Sequence, residues 1–271
     1  MKTENDFYIF DTHAHYDDEA FEEDREALLA SLPEHGIRRV VNVGASIAST
    51  QRTIQLIQEY PFCYGAAGVH PSEVAELTEE KLVWLEEQLA AKKIVAVGEI
   101  GLDYYWPEPE HELQKKWFRR QLELAIAHDM PVIIHSRDAA ADTLEIMKEY
   151  YAKAEAAGKK LTGVIHCFSY GTEMAAEYLK MGFYLGIGGV VTFKNAVKIK
   201  EVVQSTPLER IVLETDSPYL TPVPYRGKRN NSLYLEYIVA AIAELKGLTE
   251  EEVVRITCEN ANRLYRLQQT V

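Results

Sequence analysis

Phe7-Tyr8-Ile9-Phe10-Asp11-Thr12-His13-Ala14-His15 is the stretch from which the chain is read. Four apolar residues have the length and composition of a buried strand, and the run stops at Asp11. Two imidazoles follow, one residue apart. Side chains alternate faces along an extended chain, so His13 and His15 point the same way from the strand end. Two histidines on one face are half of a metal site, and the remaining ligands must come from elsewhere in the chain.

Short apolar, β-branched runs recur at 7–10, 39–43, 63–69, 94–97, 132–134, 161–165, 183–187 and 210–213. Most are continuously apolar, as in strands of a parallel sheet buried on both faces. Amphipathic stretches separate them, at 19–32, 50–59, 79–91, 110–127, 139–157, 172–181, 195–204 and 233–246. Ser49 and Thr78 are read as helix N-caps, and the glutamates after Thr78 suit the positive end of a helix. A last helix over 250–267 opens with Thr249 and Glu252, the spacing of a capping box. This alternation predicts an α/β fold, a (β/α)8 TIM barrel with an extra C-terminal helix, as one domain over 1–271. An open doubly wound sheet is the alternative, but the chain has no Gly-rich dinucleotide loop.

The 271 residues, 47% hydrophobic and 26% charged, are enough for a large core without disulfides. No apolar run approaches the ~20 residues of a membrane span, and no apolar segment follows the N-terminus as a secretory signal requires. Three scattered cysteines without a CxxC pair imply a reducing, cytoplasmic setting and argue against a thiolate zinc site. A net charge of −13 excludes broad phosphate neutralisation, so any phosphate must be held locally.

Of eight histidines, His35, His111 and His128 fall in helices or at their ends and are read as solvated. His13, His15, His70, His135 and His166 all follow proposed strands, and Glu99 and Asp216 follow two more. Strand C-termini converge on one face of a barrel, so these side chains share a site. Imidazole and carboxylate donors suit zinc, manganese or magnesium. Six ligands (His13, His15, Glu99, His135, His166 and Asp216) exceed the needs of one four-coordinate ion and fit two divalent ions with a shared carboxylate. Strands one and eight are neighbours, which groups His13 and His15 with Asp216. Strands five and six pair His135 with His166, leaving Glu99 on strand four as the bridge.

Taken together, His13-Ala14-His15, Gly68-Val69-His70-Pro71, the run from Gly98 to Tyr105 (GEIGLDYY), Pro131–Arg137 (PVIIHSR), His166-Cys167-Phe168-Ser169, Glu214–Leu220 (ETDSPYL) and Arg226–Asn230 (RGKRN) resemble the TatD family of metal-dependent deoxyribonucleases. The HxH pair alone is common to many barrel hydrolases; the GEIGLDYY and ETDSPYL segments are far more specific. The resemblance implies an amidohydrolase-like barrel that hydrolyses DNA, typically from the 3′ end toward the 5′ end, with the same six residues on the metals. It needs no modified lysine, because strand four supplies Glu99. One departure is Asn231-Ser232, where many relatives carry Glu-Pro in a loop expected near the substrate.

Asp216 and Glu99 are the expected catalytic carboxylates, Asp216 orienting or deprotonating the attacking water. His70, Arg137, Arg226, Lys228 and Arg229 are the expected substrate contacts, the last three being the densest basic cluster in an acidic chain. Tyr104, Tyr105 and Trp106 offer either stacking surfaces for unpaired bases or simple packing. Gly186-Ile187-Gly188-Gly189 lacks a phosphate-loop pattern and reads as close backbone approach. The expected partner is DNA, at single-stranded ends, with no membrane and no obligate protein partner. The alternatives are a deaminase, lactonase or amidase on the same barrel, or a barrel that binds metal or nucleic acid without catalysis.

Overall fold

The computed structural model describes residues 7–268. Eight parallel strands lie in sequence order: β1 (Ile9–Ala14), β2 (Ile37–Val43), β3 (Cys63–Ala67), β4 (Ile94–Asp103), β5 (Val132–Arg137), β6 (Gly163–Ile165), β7 (Tyr184–Ile187) and β8 (Ile211–Leu213). The sheet nearly closes where β1 meets the end of β8. There Ala14 bridges to Ser217, and the His15 N–H donates to the Ser217 carbonyl at 2.8 Å. Helices α1 (Arg25–Ser31), α2 (Ile47–Glu59), α3 (Glu79–Gln88), α4 (His111–Ala127), α5 (Ala140–Ala156), α6 (Thr172–Lys180) and α7 (Val197–Ser205) fill the crossovers. After β8 come α8 (Leu235–Lys246) and α9 (Glu250–Leu264), completing the expected barrel with its extra helix.

Alternation along the strands explains why both faces are apolar. Phe10, Val41, Ala66, Val95, Ile133, Val164, Tyr184 and Val212 supply one residue from each strand to a single buried cluster. Cys258, Ala261 and Leu264 of α9, with Tyr265, join the same cluster, so the last helix packs against the barrel interior. Their neighbours Val40, Val132, Ile134, Ile165, Leu185, Ile211 and Leu213 belong to the second cluster, between barrel and helices. Two residues beyond Ile133, Val164 and Val212 stand His135, His166 and Glu214. The two-residue period therefore lifts these polar groups directly above the apolar interior.

Several boundaries differ from the sequence reading. β1 does not stop at Phe10 but runs through the histidine motif to Ala14, because Asp11, Thr12 and His13 are buried and Thr12 and Asp11 find partners in the Leu213 carbonyl and Thr215. β4 extends over ten buried residues to Asp103, carrying Glu99 in its middle. The stretch 19–32 is broken. Asp18 caps a short 3-10 turn through the Ala20 N–H, α1 begins only at Arg25, and Pro33 enters a second 3-10 turn that ends at Gly36 with φ +79°. Proline lacks the N–H that α1 would need to continue. The cap of α2 is Ser46, not Ser49, whose hydroxyl instead reaches Asp17 at 2.6 Å. Thr78 caps α3, and Thr249 with Glu252 forms the reciprocal capping box of α9.

Candidate metal centre

At the C-terminal mouth of the barrel, two groups of ligand atoms meet on one carboxylate. Glu99 Oε2 lies 3.4 Å from His13 Nε2 and 3.7 Å from His15 Nε2. Asp216 Oδ1 is 3.7 Å and 3.6 Å from the same two nitrogens, which are 3.0 Å from each other. Glu99 Oε1 faces the opposite way, 2.8 Å from His135 Nδ1, 3.7 Å from His166 Nε2 and 3.9 Å from His70 Nε2. His166 Nε2 also approaches Asp216 Oδ1 at 3.5 Å. All six expected ligands are therefore together, with His70 beside them.

Their spacing suits a metal. Donors about 2.0–2.1 Å from a tetrahedral ion lie about 3.3 Å from one another, and the separations in the first group, 3.0 to 3.7 Å, bracket that value. The tautomers suit it as well. His15 Nδ1 is held by the Val43 carbonyl at 2.8 Å, His166 Nδ1 by Glu214 at 3.1 Å and His135 Nε2 by Asp103 at 3.2 Å. An acceptor on the outer nitrogen leaves the inner lone pair aimed at the site, as in carboxylate–histidine–metal arrangements. His13 is the exception, since its Nδ1 is buried without a hydrogen-bond partner. The residues present fit divalent cations.

Burial opposes ionisation throughout this pocket, and the mutual charges overcome it. Burial alone would push His15 and His166 down, yet Asp216 and Glu99 lift His15 to about 9, and Glu214, Asp216 and Glu99 lift His166 to about 10. His70 has too little compensation: burial and the neighbouring His135 lower it to about 3. Burial would raise Glu99 and Asp216, but the surrounding histidines hold both carboxylates below their ordinary values.

Asp11 ties the two strands of the first group. Its carboxylate accepts from the His13 N–H at 3.3 Å, the Thr215 N–H at 3.1 Å, the Thr215 hydroxyl at 2.7 Å and the Ser232 hydroxyl at 2.6 Å. Burial pushes this carboxyl up to about 7 against those bonds. Since the Asp216 N–H donates to the His13 carbonyl at 2.9 Å, the two ligand-bearing segments move as one. Ser232 thus belongs to the support behind β1, not to the substrate cavity where its loop was expected. Its N–H also donates to the Tyr16 hydroxyl at 2.9 Å, a bond that proline at this position would lack.

Glu214 and Asp103 stand inside two of the quoted motifs but are not among the expected site residues. Glu214 sits two residues after interior Val212, and Asp103 closes the GEIGLD strand, so parity along β8 and β4 was the available signal. Gly186 makes room for Glu214, because a Cβ there would lie 2.1 Å from Glu214 Oε2. Close backbone approach is thus the reason for this glycine.

A cavity of about 1140 Å3 opens above the ligands, and Arg137, Trp106, Tyr219 and His70 are among the residues lining it. The Arg137 guanidinium lies over the Tyr105 ring at 3.7 Å. The basic cluster lies elsewhere. Arg229 makes two bonds to Asp24, at 2.7 and 2.6 Å, and a third to the Ala20 carbonyl, while Arg226 covers Phe193 and Lys228 lies over Tyr225. None of the three lines the cavity: Arg229 is held by the loop between β1 and α1, and Tyr225 beside Arg226 packs against Tyr237 of α8. Tyr104 is also spoken for, stacked on His111 at 3.6 Å and bonded to Asp142 at 2.7 Å. His35 and His128 are exposed helix-end residues, as read.

Known proteins share this architecture. The family model for TatD related DNase matches residues 10–266. An uncharacterized metal-dependent hydrolase of Bacillus subtilis, YabD, is 46% identical over 259 residues, spanning 96% of this chain and 99% of its own length. The Escherichia coli protein YcfH, also named an uncharacterized metal-dependent hydrolase, is 34% identical over 269 residues, with 96% of each chain covered. The crystal structure of YjjV, a TatD homologue from E. coli, superposes with a TM-score of 0.89 at 29% identity, covering 96% of this chain and 98% of that one. With the family model spanning both ends of the barrel, this chain belongs to the TatD related DNase family.

Proposed function

We propose that the protein is a two-metal phosphodiesterase that hydrolyses DNA, removing nucleotides from the 3′ end of single strands. The observation that supports this most is the division of Glu99, whose two oxygens face two separate sets of ligand atoms. In this reading His13, His15 and Asp216 would hold one ion, His135 and His166 the other, with Glu99 available to both. Bound divalent ions supply positive charge to the phosphate oxygens and lower the pKa of a nearby water. Magnesium, manganese and zinc all match the mixed imidazole and carboxylate donors.

The chain's own residues account for the remaining chemistry. Asp216, the most accessible of the carboxylates and kept ionised by His166 and His15, orients the attacking water and accepts its proton. His70, held neutral, places its Nε2 beside the site, where it donates to a phosphate oxygen. Its Nδ1 is turned away to Ser72 at 2.8 Å and 3.1 Å. Arg137 at the cavity edge makes no ion pair among the described residues, so its fork is available for a phosphate. Arg226, Lys228 and Arg229 have no part in this reading.

The test is product analysis on end-labelled single-stranded DNA with metal-loaded protein, run beside small lactones, amides and nucleobases. Release of mononucleotides from the 3′ end, abolished by chelator and reduced at least about 1000-fold by Asp216→Asn, is expected for loss of a group acting at the reacting water. Turnover of a lactone, amide or nucleobase with intact DNA would transfer the site to the amidohydrolase alternative.

A further inference from the structure

The rim of the cavity carries aromatic surface that the metal site does not use. Trp106, on the loop leaving β4, is 53% exposed, and Tyr219, beyond β8, is 55% exposed. Both line the cavity, yet in an eight-strand barrel β4 and β8 are four strands apart and stand on opposite sides of the mouth. Neither ring is free to wander. Tyr105 packs edge-on against Trp106 at 4.8 Å and is itself capped by the Arg137 guanidinium. The Tyr219 hydroxyl is anchored to Asp18 at 3.1 Å. Large rings held in place but left half in water have a face to offer.

The acidic side chains of the mouth define where a nucleic acid strand can run. Asp17, Asp18, Glu19 and Glu22 on the loop after β1, with Glu73 after β3, line the same cavity; Arg52 pairs with Asp17 at 3.5 Å and Arg25 donates to the Asp18 carbonyl at 2.9 Å, and the acids left in excess repel a phosphate backbone. Arg137 lies on the far side, beside Trp106. A strand that keeps its phosphate over the ligands places one base toward Trp106 and the other toward Tyr219, so that on the Asp18 side of the mouth an uncharged base and not a phosphate meets the wall.

We propose that Trp106 and Tyr219 are two nucleobase subsites, one on each side of the scissile phosphate, so that the substrate is an unpaired strand with a base on both flanks of the bond. This deepens the phosphodiesterase reading and rests on it. Paired bases are stacked inside a duplex and have no face to give to either ring, which excludes double-stranded ends until they fray. Sequence preference is weak, because every base has a flat face.

The experiment compares Trp106→Ala and Tyr219→Ala with Trp106→Phe and Tyr219→Phe in metal-loaded protein. Stacking energies measured for such contacts correspond to a rise in KM of about 5- to 100-fold for each alanine variant on single-stranded DNA, with kcat and metal content unchanged and the phenylalanine variants near wild type. A second readout is independent of turnover. Oligonucleotides with a phosphorothioate at the terminal linkage carry 2-aminopurine as the last or the next-to-last base, and its fluorescence falls when it stacks. One alanine variant loses quenching at one position and the other variant at the other. If wild type degrades single-stranded DNA while both alanine variants keep its KM and its quenching, the subsites are wrong and the phosphodiesterase reading stands. An effect confined to one variant overturns the two-sided arrangement. A wild-type protein that leaves DNA intact overturns both.

Discussion

His13 and His15 enter as a motif and end as one half of a divided site. Because their Nε2 atoms face each other, Glu99 Oε2 and Asp216 Oδ1, whereas His135 faces Glu99 Oε1, the two halves should load separately. The double substitution His13→Ala, His15→Ala is expected to lower the metal content from two ions per chain to one, read by elemental analysis after dialysis. Loss of both ions, or of neither, would break the assignment. Proton release is a second consequence at this scale. Asp216 and Glu99 raise His15 to about 9, and Glu214, Asp216 and Glu99 raise His166 to about 10, each against the opposing effect of burial, so both rings are protonated at pH 7 in the metal-free chain. An ion must displace those protons, hence apparent metal affinity should climb from pH 6 to pH 9. Titration calorimetry in two buffers of different ionisation enthalpy checks this, since no net proton release at pH 7 would contradict it.

Between strands, the tolerance of the site is set by how closely the backbones approach. β7 passes so near Glu214 that even a methyl group on Gly186 cannot be placed without displacing that carboxylate. Gly186→Ala should therefore destabilise the protein by about 1–3 kcal/mol, the usual cost of overpacking. It should also weaken metal binding, because Glu214 is the group that orients His166. Support of this kind is commonly worth about 10- to 100-fold in metal affinity. Thermal unfolding together with metal titration separates the two effects, and a variant with lower stability but unchanged affinity would remove Glu214 from the support of His166. A contrasting control lies at the other end of the chain. Thr249→Ala breaks the α9 capping box, which should cost about 1 kcal/mol of stability and leave metal content untouched.

For the molecule as a whole, charge constrains function more than composition does. The chain carries −13, acidic side chains line one side of the mouth, and Arg229 of the basic loop at 226–229 is committed to Asp24. Arg25 and Arg52 also line the cavity but are engaged by Asp18 and Asp17, so phosphate recognition falls to the metal site and Arg137. With one or two cations engaged, the KM for single-stranded DNA should change less than about tenfold between 50 and 200 mM salt. A steeper dependence would mean that a longer basic track contacts the strand. Arg229→Ala serves as a marker: with its guanidinium committed to Asp24 and Ala20, it should leave KM unaltered, whereas Arg137→Ala should raise it. Among the described residues no helix is long and apolar enough to cross a membrane.

The barrel and its six candidate ligands were legible without coordinates because they depend on local order. Apolar runs mark strands, and the polar residue that ends each run marks the catalytic face. Strand adjacency follows from chain order in a parallel barrel, so even the central place of Glu99 could be read. What sequence order did not reveal depends on three-dimensional proximity between segments far apart in the chain. Glu214 and Asp103 back the histidines only because Glu214, after β8, reaches His166 past the intervening β7, and because β4 pairs with β5. The basic cluster looked like a phosphate site until Asp24, about two hundred residues earlier, was found holding Arg229. Ser232 looked like part of the substrate loop until Asp11 accepted its hydroxyl. Residue type and spacing determined which chemistry the chain can perform; only the closure of the barrel decided which charged groups face the cavity and which are spent on holding it together, because a side chain's partners are set by tertiary packing.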